Sequence, residues 1–249
     1  MIHAIALFFF PEAVDKDRGI GHTYRFFLTV KRSENTMTED KNSARFDALA
    51  AKWDENPLRI HMVRAVATKI KETVRLHSAM TALEVGCGTG LVTVLIAPEL
   101  GRVTALDSSE KMLSELQRKI GDMNLTNITC RKGDLVTEEI PESGFDFIYS
   151  NMTYHHVADG DALLKKLHRA LIPDGVLAIA DLDREEGSFH TDMEGVHHLG
   201  FMRGEVVSAF ERAGFHHCTI MDAHVVEKIE SDGNVRRYPM FLATGKKRA

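Results

Sequence analysis

From Ser43 onward the apolar residues recur at two alternating spacings. SARFDALAAKWDE (43–55) and PLRIHMVRAVATKIKETVRLH (57–77) carry them three and four apart, which predicts two helices with one buried face each. Pro57 stands where a first helical turn tolerates a missing N–H. Beyond them, short apolar runs and amphipathic stretches take turns. TALEVG, VTALD, ITCRKGD, FDFIYS and VLAIADL predict strands at 81–86, 103–107, 128–134, 145–150 and 176–182. Helices are expected from LVTVLIAPEL, SSEKMLSELQRKI and GDALLKKLHRAL; the second opens on an N-cap serine and the third stops at IPDG. A helix, RGEVVSAFERAG, and two more strand candidates, CTIMDAHVVEKI and YPMFLATGK, follow. Such alternation predicts an α/β fold: a doubly wound parallel sheet with helices on both faces, in one domain.

Residues 1–36 lack this pattern. MIHAIALFFFPEA has a short apolar run, but no Lys or Arg precedes it and no convincing cleavage pattern follows, so a signal peptide is not expected. Met37 opens MTEDKNSARFDALAAKWDENP, which reads like a natural beginning. The expected organisation is a disordered or non-native extension over 1–36, a helical lid over 37–80 and a core over 81–249.

Composition narrows the function. A chain of 249 residues that is 44% hydrophobic can bury a sizeable core. Its net charge of −5 gives no basic field for nucleic acid. No run approaches the roughly 20 apolar residues of a membrane span. Cys87, Cys130 and Cys218 are odd in number and widely spaced, which points to a reducing compartment and a cytoplasmic protein.

The candidate chemistry begins where the first strand ends, at LEVGCGTG. Ligands of open α/β sheets bind outside the carboxyl ends of the strands. Gly86, Gly88 and Gly90 give G-x-G-x-G, whereas a dinucleotide site shows G-x-G-x-x-G. Glu84, two residues before the first glycine, would repel a pyrophosphate but suits an ammonium or sulfonium charge. Asp107 ends the second strand, 21 residues after Gly86, where a carboxylate accepts from ribose hydroxyls. Asp134 ends the third, where an acid can take an adenine's exocyclic amine. A nucleoside with no phosphate and with positive charge near the glycines meets this description, and S-adenosylmethionine is such a molecule.

LEVGCGTG, VTALDSS, KGDL, FDFIYSNMTYHHV and LHRALIPDGVLAIAD resemble, in order and spacing, the successive motifs of class I S-adenosylmethionine-dependent methyltransferases. The resemblance is strongest to the small-molecule branch that includes the ubiquinone and menaquinone methyltransferases, and it covers about residues 43 to 245. It implies a Rossmann-like, seven-stranded, mostly parallel sheet whose last strand is antiparallel. It implies that Gly86, Cys87, Gly88 and Gly90 wrap the methionine part of S-adenosyl-L-methionine. Asp107, with Ser108 and Met112 nearby, would hold the ribose side. Asp134 and Leu135 would flank the adenine, and Asn151 and Met152 would lie under the cofactor. FDALAAKWDENP resembles the segment that folds across the cofactor in this branch, which makes Trp53, with Phe46, a candidate wall of the acceptor site.

Methyl transfer from a sulfonium needs an acceptor positioned in line and shielded from water. A base is required only where the acceptor must lose a proton. His155 and His156, directly after the fourth strand, are the candidates. The stretch DLDREEGSFHTDMEGVHHLGF (181–201) hangs from the end of the fifth strand. Asp181 and Asp183 would point at the acceptor space; Phe189, His190, His197 and His198 would form a lid or substrate wall, with Gly187, Gly195 and Gly200 as hinges. The spacing of His190, His197 and His198 matches no H-x-x-x-H pair, so no metal is expected.

The expected function is therefore methyl transfer to a small-molecule acceptor, without nucleic acid and without a membrane span. Three other readings compete. A catalytically silent protein of the same fold has no need to keep Glu84, Asp107 and Asp134. NMTY resembles the N-P-P-Y of amino-group methyltransferases acting on nucleic acid or protein, but both prolines are missing. A nicotinamide oxidoreductase is disfavoured by the glycine spacing and by Glu84.

Overall fold

The computed structural model describes residues 43–229 and 233–248; the extension expected over 1–36, and residues 37–42 of the expected lid, lie outside them. The strands are β1 (Thr81–Val85), β2 (Arg102–Asp107), β3 (Ile128–Lys132), β4 (Phe145–Asn151), β5 (Leu171–Leu182), β6 (His216–Ile229) and β7 (Val235–Lys246). They form one seven-stranded sheet in the order β3-β2-β1-β4-β5-β7-β6. Strands β1 to β5 pair in parallel, and β7 lies antiparallel between β5 and β6. This is the doubly wound, seven-stranded sheet expected from the sequence. The chain winds outward from β1 in one direction and from β4 in the other, so a crevice opens at the carboxyl ends of that pair.

Period-two alternation divides the core into two layers. Phe147 and Tyr149 of β4 face one layer with Met62, Val66 and Ile70 of α1 (Pro57–Thr73). Ile148, between them, faces the other layer. There it joins Leu164 and Leu167 of α4 (Gly160–Ala170) and Phe210 of α5 (Arg203–Arg212). Asn56 caps α1 by accepting from Leu58 N at 3.0 Å, with Pro57 in the first turn. Ser109 caps α3 (Glu110–Asp122) by accepting from Met112 N at 3.1 Å.

Some boundaries move. The helix expected over 91–100 is only Thr93–Ile96 (α2) followed by a tighter turn, Ala97–Glu99, because Pro98 has no N–H to continue the ladder. The segment expected to be one helix over 43–55 is helical over 43–49 and winds into a 3-10 helix at Ala50–Glu55. IPDG does not terminate α4, which stops at Ala170; it is a kinked entry into β5, with Asp174 at φ +62°.

The stretch after β5 has no regular structure, yet its ends are fastened together. Arg184 N donates to Phe201 O and Glu185 N to Leu199 O, both at 2.9 Å, and Phe201 N donates to Leu182 O at 3.0 Å. Asp183 accepts from Nε and Nη2 of Arg203, one guanidinium edge, at 2.8 and 2.7 Å. Gly200 makes this closure possible, since at φ +65° a Cβ there would stand 2.1 Å from Asp183 O. Gly200→Ala is therefore expected to cost on the order of 2 kcal/mol, read as a lower urea midpoint; an unchanged midpoint would show that the loop ends are not held together.

Candidate active site

A cavity of about 520 Å³ lies at the crevice between β1 and β4. Its floor is the turn after β1. The amides of Gly86 and Cys87 both donate to Leu106 O, at 2.9 and 3.1 Å, which pins this turn beside β2. The three glycines differ in kind. A Cβ on Gly86 would strike Thr153, and one on Gly90 would strike Leu116, so these two allow close packing. Gly88, at φ +54°, has nothing within 4 Å of its missing Cβ: here the backbone itself faces open space.

Two acids frame the turn. Asp107 accepts from Gly88 N at 2.7 Å and from Ser109 N at 2.9 Å. Burial raises its pKa, against the pull of these amides. Glu84 is buried beneath the glycines and accepts from the Thr93 hydroxyl. The Tyr149 hydroxyl, buried with no well-formed hydrogen bond of its own, faces the same carboxyl. Burial pushes the pKa of Glu84 up to about 8; both hydroxyls oppose the rise and the charge of Asp107 adds to it. Cys87, between these acids, is buried and its thiol is held well above the ordinary value, which makes it a poor nucleophile.

The cavity continues past Asp134, Leu135, Asn151 and Met152. The oxygen Oδ1 of Asp134 accepts from Val136 N at 2.7 Å and Thr137 N at 2.9 Å, so this carboxylate builds its own turn. Asn151 Oδ1 is buried without a donor among the described residues. Met152, directly after β4, carries φ +55°, an uncommon conformation for a side-chain-bearing residue, and lines the cavity wall.

At the far end the walls become aromatic. Phe46 meets Trp53 edge to face at 5.6 Å and His156 at 5.5 Å. His155 is 1% exposed; its Nδ1 lies 2.8 Å from Asp181 Oδ1, and its amide donates to Asp181 Oδ2 at 3.2 Å. Burial alone would push Asp181 up, but the ring and amide of His155 and the amide of Leu182 hold it below the usual carboxylate range. His156 Nδ1 lies 2.7 Å from Gly195 O; a carbonyl only accepts, so this nitrogen carries the proton and Nε2 the lone pair. Burial, with His155 beside it, lowers the pKa of His156 to about 4. His190 also lines this end, its ring 4.9 Å from that of His155.

The fold thus brings Glu84, Gly86, Cys87, Gly88, Asp107, Ser108, Met112, Asp134, Leu135, Asn151, Met152, Trp53, His155, His156 and His190 around one cavity. Gly90, Asp181 and His198 do not line it. Gly90 is committed to Leu116, and Asp181 stands behind His155 rather than facing an acceptor. His198 Nε2 is 3.0 Å from Val157 O and its ring packs on Phe201, so His197, not its neighbour, reaches the wall. Asp183, expected at the acceptor space, is occupied by Arg203. Sequence reasoning missed Thr93 and Tyr149, the partners of Glu84, and two cations at the wall, Arg59 and Lys228. Arg59 lies 3.6 Å over the Trp53 ring, and its position six residues after that tryptophan was the only available signal. Lys228 enters from β6, with no signal in sequence.

Residues 83–179 match the family model described as a methyltransferase domain, and they run from within β1 through the glycine turn, both flanking acids and β2 to β4 into most of β5. They belong to the class I S-adenosylmethionine-dependent methyltransferases. An uncharacterised methyltransferase of Schizosaccharomyces pombe is 27% identical over 170 residues, 62% of this chain and 58% of that one. A demethylmenaquinone methyltransferase of Lactobacillus johnsonii is 31% identical over 161 residues, 62% of this chain and 66% of that one. The chain thus spans less than two thirds of the length of each relative. The crystal structure of an S-adenosylmethionine-dependent methyltransferase from Aquifex aeolicus superimposes with a TM-score of 0.57 at 24% identity, covering 82% of this chain and 97% of that one. That likeness concerns the fold.

Burying an acid in this methyltransferase domain has a cost that pH exposes. Glu84 is neutral in the folded chain up to about pH 8 but ionises near 4.5 when unfolded. Stability is therefore lost as pH rises between those values. Glu84→Gln should be more stable than the wild type at pH 8, and the difference should vanish as pH falls toward 4.5. Melting curves of the two proteins across that range would show it; a constant difference would place the ionisation of Glu84 elsewhere.

Proposed function

We propose that the chain transfers a methyl group from S-adenosyl-L-methionine to a small-molecule acceptor. The observation that carries this reading is that one cavity joins the acids of the glycine turn to the aromatic, histidine-lined end. The turn end fits the cofactor. Asn151 Oδ1 is a buried acceptor awaiting a donor, Gly88 leaves open space, and Glu84 offers a carboxyl that ionises readily once a cation is beside it. When bound, the cofactor supplies an electrophilic methyl on a sulfonium whose leaving group is a neutral thioether.

The chain's own residues then have three tasks. Glu84 and Asn151 hold the ammonium, Asp107 with Ser108 the ribose, and Asp134 with Leu135 the adenine edge. Phe46, Trp53 and Phe189 exclude water from the acceptor end. An acceptor that must lose a proton gives it up at the histidine face, where Nε2 of His156 presents a lone pair, the Gly195 carbonyl fixes the ring's place, and the His155 ring lies tilted beside it at 4.1 Å. The match to a protein named demethylmenaquinone methyltransferase supports a small-molecule acceptor. No helix among the described residues is long and apolar enough to cross a membrane.

S-adenosylhomocysteine at about 100 times its dissociation constant should add roughly 2.7 kcal/mol of stability, several degrees in a thermal melt, and NADH should add nothing. The reverse pattern would overturn the proposal. Asp107→Ala should weaken S-adenosylhomocysteine binding by about 1–3 kcal/mol, as expected for a lost charged acceptor. His156→Ala should leave that affinity intact; a loss would place this histidine at the cofactor end of the cavity.

A further inference from the structure

Three imidazoles from separate parts of the chain meet at the acceptor end. His155 and His156 lie in the turn Tyr154–His156 after β4, and His190 in the loop after β5. Their ring centroids are 4.1, 4.9 and 5.8 Å apart. One ring nitrogen of each lies within 4.8 Å of the others, the one such convergence of three metal-ligating side chains among the described residues.

What these nitrogens lack is a donor. His155 gives its Nδ1 proton to Asp181, and its Nε2 is buried with no partner among the described residues. His156 gives its Nδ1 proton to Gly195 O, leaving Nε2 as an acceptor. His190 Nδ1 is likewise buried and unpartnered. Leaving buried polar nitrogens such as His155 Nε2 and His190 Nδ1 unsatisfied is costly.

We propose that His155, His156 and His190 bind one divalent transition-metal ion of the zinc type. Neutral imidazoles suit zinc or cobalt and not the hard, oxygen-seeking magnesium or calcium. Three protein ligands with a fourth position facing a cavity is the arrangement of a catalytic rather than a structural zinc site. Asp181 and the Gly195 carbonyl already do what outer partners do at such sites: each takes the second ring proton of a ligand and fixes its tautomer. Zinc–nitrogen bonds of about 2.0–2.1 Å require small inward rotations of the rings.

This deepens the methyl-transfer reading and rests on it for its purpose; with the Nε2 lone pair of His156 on the ion, the ion takes over from that histidine the task of easing the acceptor's proton off. The open position takes an acceptor hydroxyl or thiol and lowers its pKa. The acceptor's proton passes to water, its freed electron pair forms the new bond to the methyl carbon, and the pair of the broken sulfur–methyl bond returns to the departing thioether. The acceptor class is thus an alcohol, phenol or thiol. The absence of metal expected from the sequence rested on His190, His197 and His198; folding pairs His190 with two other partners.

The test is metal binding by the whole chain. Protein stripped with a chelator and freed of it is titrated with Co²⁺, followed by its visible ligand-field bands, and then with Zn²⁺ as competitor. The expected result is about one Co²⁺ per chain in a four-coordinate, nitrogen-rich spectrum, displaced by Zn²⁺. His190→Ala, a loop substitution checked for folding by circular dichroism, should weaken binding at least tenfold. Asp181→Asn should weaken it about 10–100-fold. Stripped protein that binds no Co²⁺, or a folded His190→Ala protein that binds it as well as the wild type, overturns the proposal. The S-adenosylhomocysteine shift is measured on the same samples. Its retention in stripped protein and in His190→Ala separates failure of the metal site from failure of the methyl-transfer reading.

Discussion

Asp181 is the constraint around which the functional end of this molecule is arranged. Its carboxylate is fully buried at the end of β5, and a charge so placed survives only when its oxygens are occupied. The amide and ring of His155 and the amide of Leu182 occupy them. That tie fixes the turn after β4 against β5. The carbonyl of His155, held in place by the same tie, accepts from His197 N at 3.0 Å and His198 N at 3.1 Å, and so anchors the returning half of the loop. One buried carboxylate therefore sets the tautomer of a histidine, the register of a turn and the position of a wall.

The helical segment at the start of the described chain closes the same space from the opposite side, and polar contacts fasten it. Asp47 accepts from Ser109 Oγ at 2.5 Å and from Lys111 N at 3.0 Å, at the cap of α3. Asp54 accepts from the Thr89 hydroxyl at 2.6 Å and pairs with Lys119, beside the glycine turn. Arg45 reaches across to the carbonyls of Asp192 and Glu194 in the loop after β5. Exposed pairs contribute little each, and these contacts are part-buried or exposed. A cover held by several weak, directional contacts can open for a ligand at modest cost and close again in one geometry.

Much of this was legible in the sequence, for reasons that are local. Strand and helix periods reflect which face of each element is buried, so all seven strands stand where apolar alternation placed them. Glu84, Gly88 and Asp107 could be read together because the strand–turn–strand order fixes where they meet. What escaped reading depends on contacts distant in the chain. Asp181 looked like an acceptor-facing acid at a strand end, but its partner lies 26 residues earlier. His190 looked like one of three loop histidines; its neighbours are in the turn after β4, while His198 turned to Val157. Gly90 shared a motif with Gly88, yet only packing against Leu116 tells the two apart.

The two ends of the cavity show the same physical strategy with different donors. At the glycine turn, Glu84 is kept from water and from a full complement of donors, so the folded chain is least comfortable where a cation would be most welcome. At the acceptor end, the ring nitrogens His155 Nε2 and His190 Nδ1 are buried without partners among the described residues, beside the Nε2 lone pair of His156. Such groups weaken the empty fold, and each loses that penalty only when a ligand of matching charge arrives. Apolar and aromatic side chains, among them Phe46, Trp53, Met62, Leu91 and Phe189, line the same cavity. Charge is therefore taken up at two fixed points of one cavity. Transfer chemistry needs that separation more than it needs any one side chain, since proximity without water is most of what an in-line displacement requires.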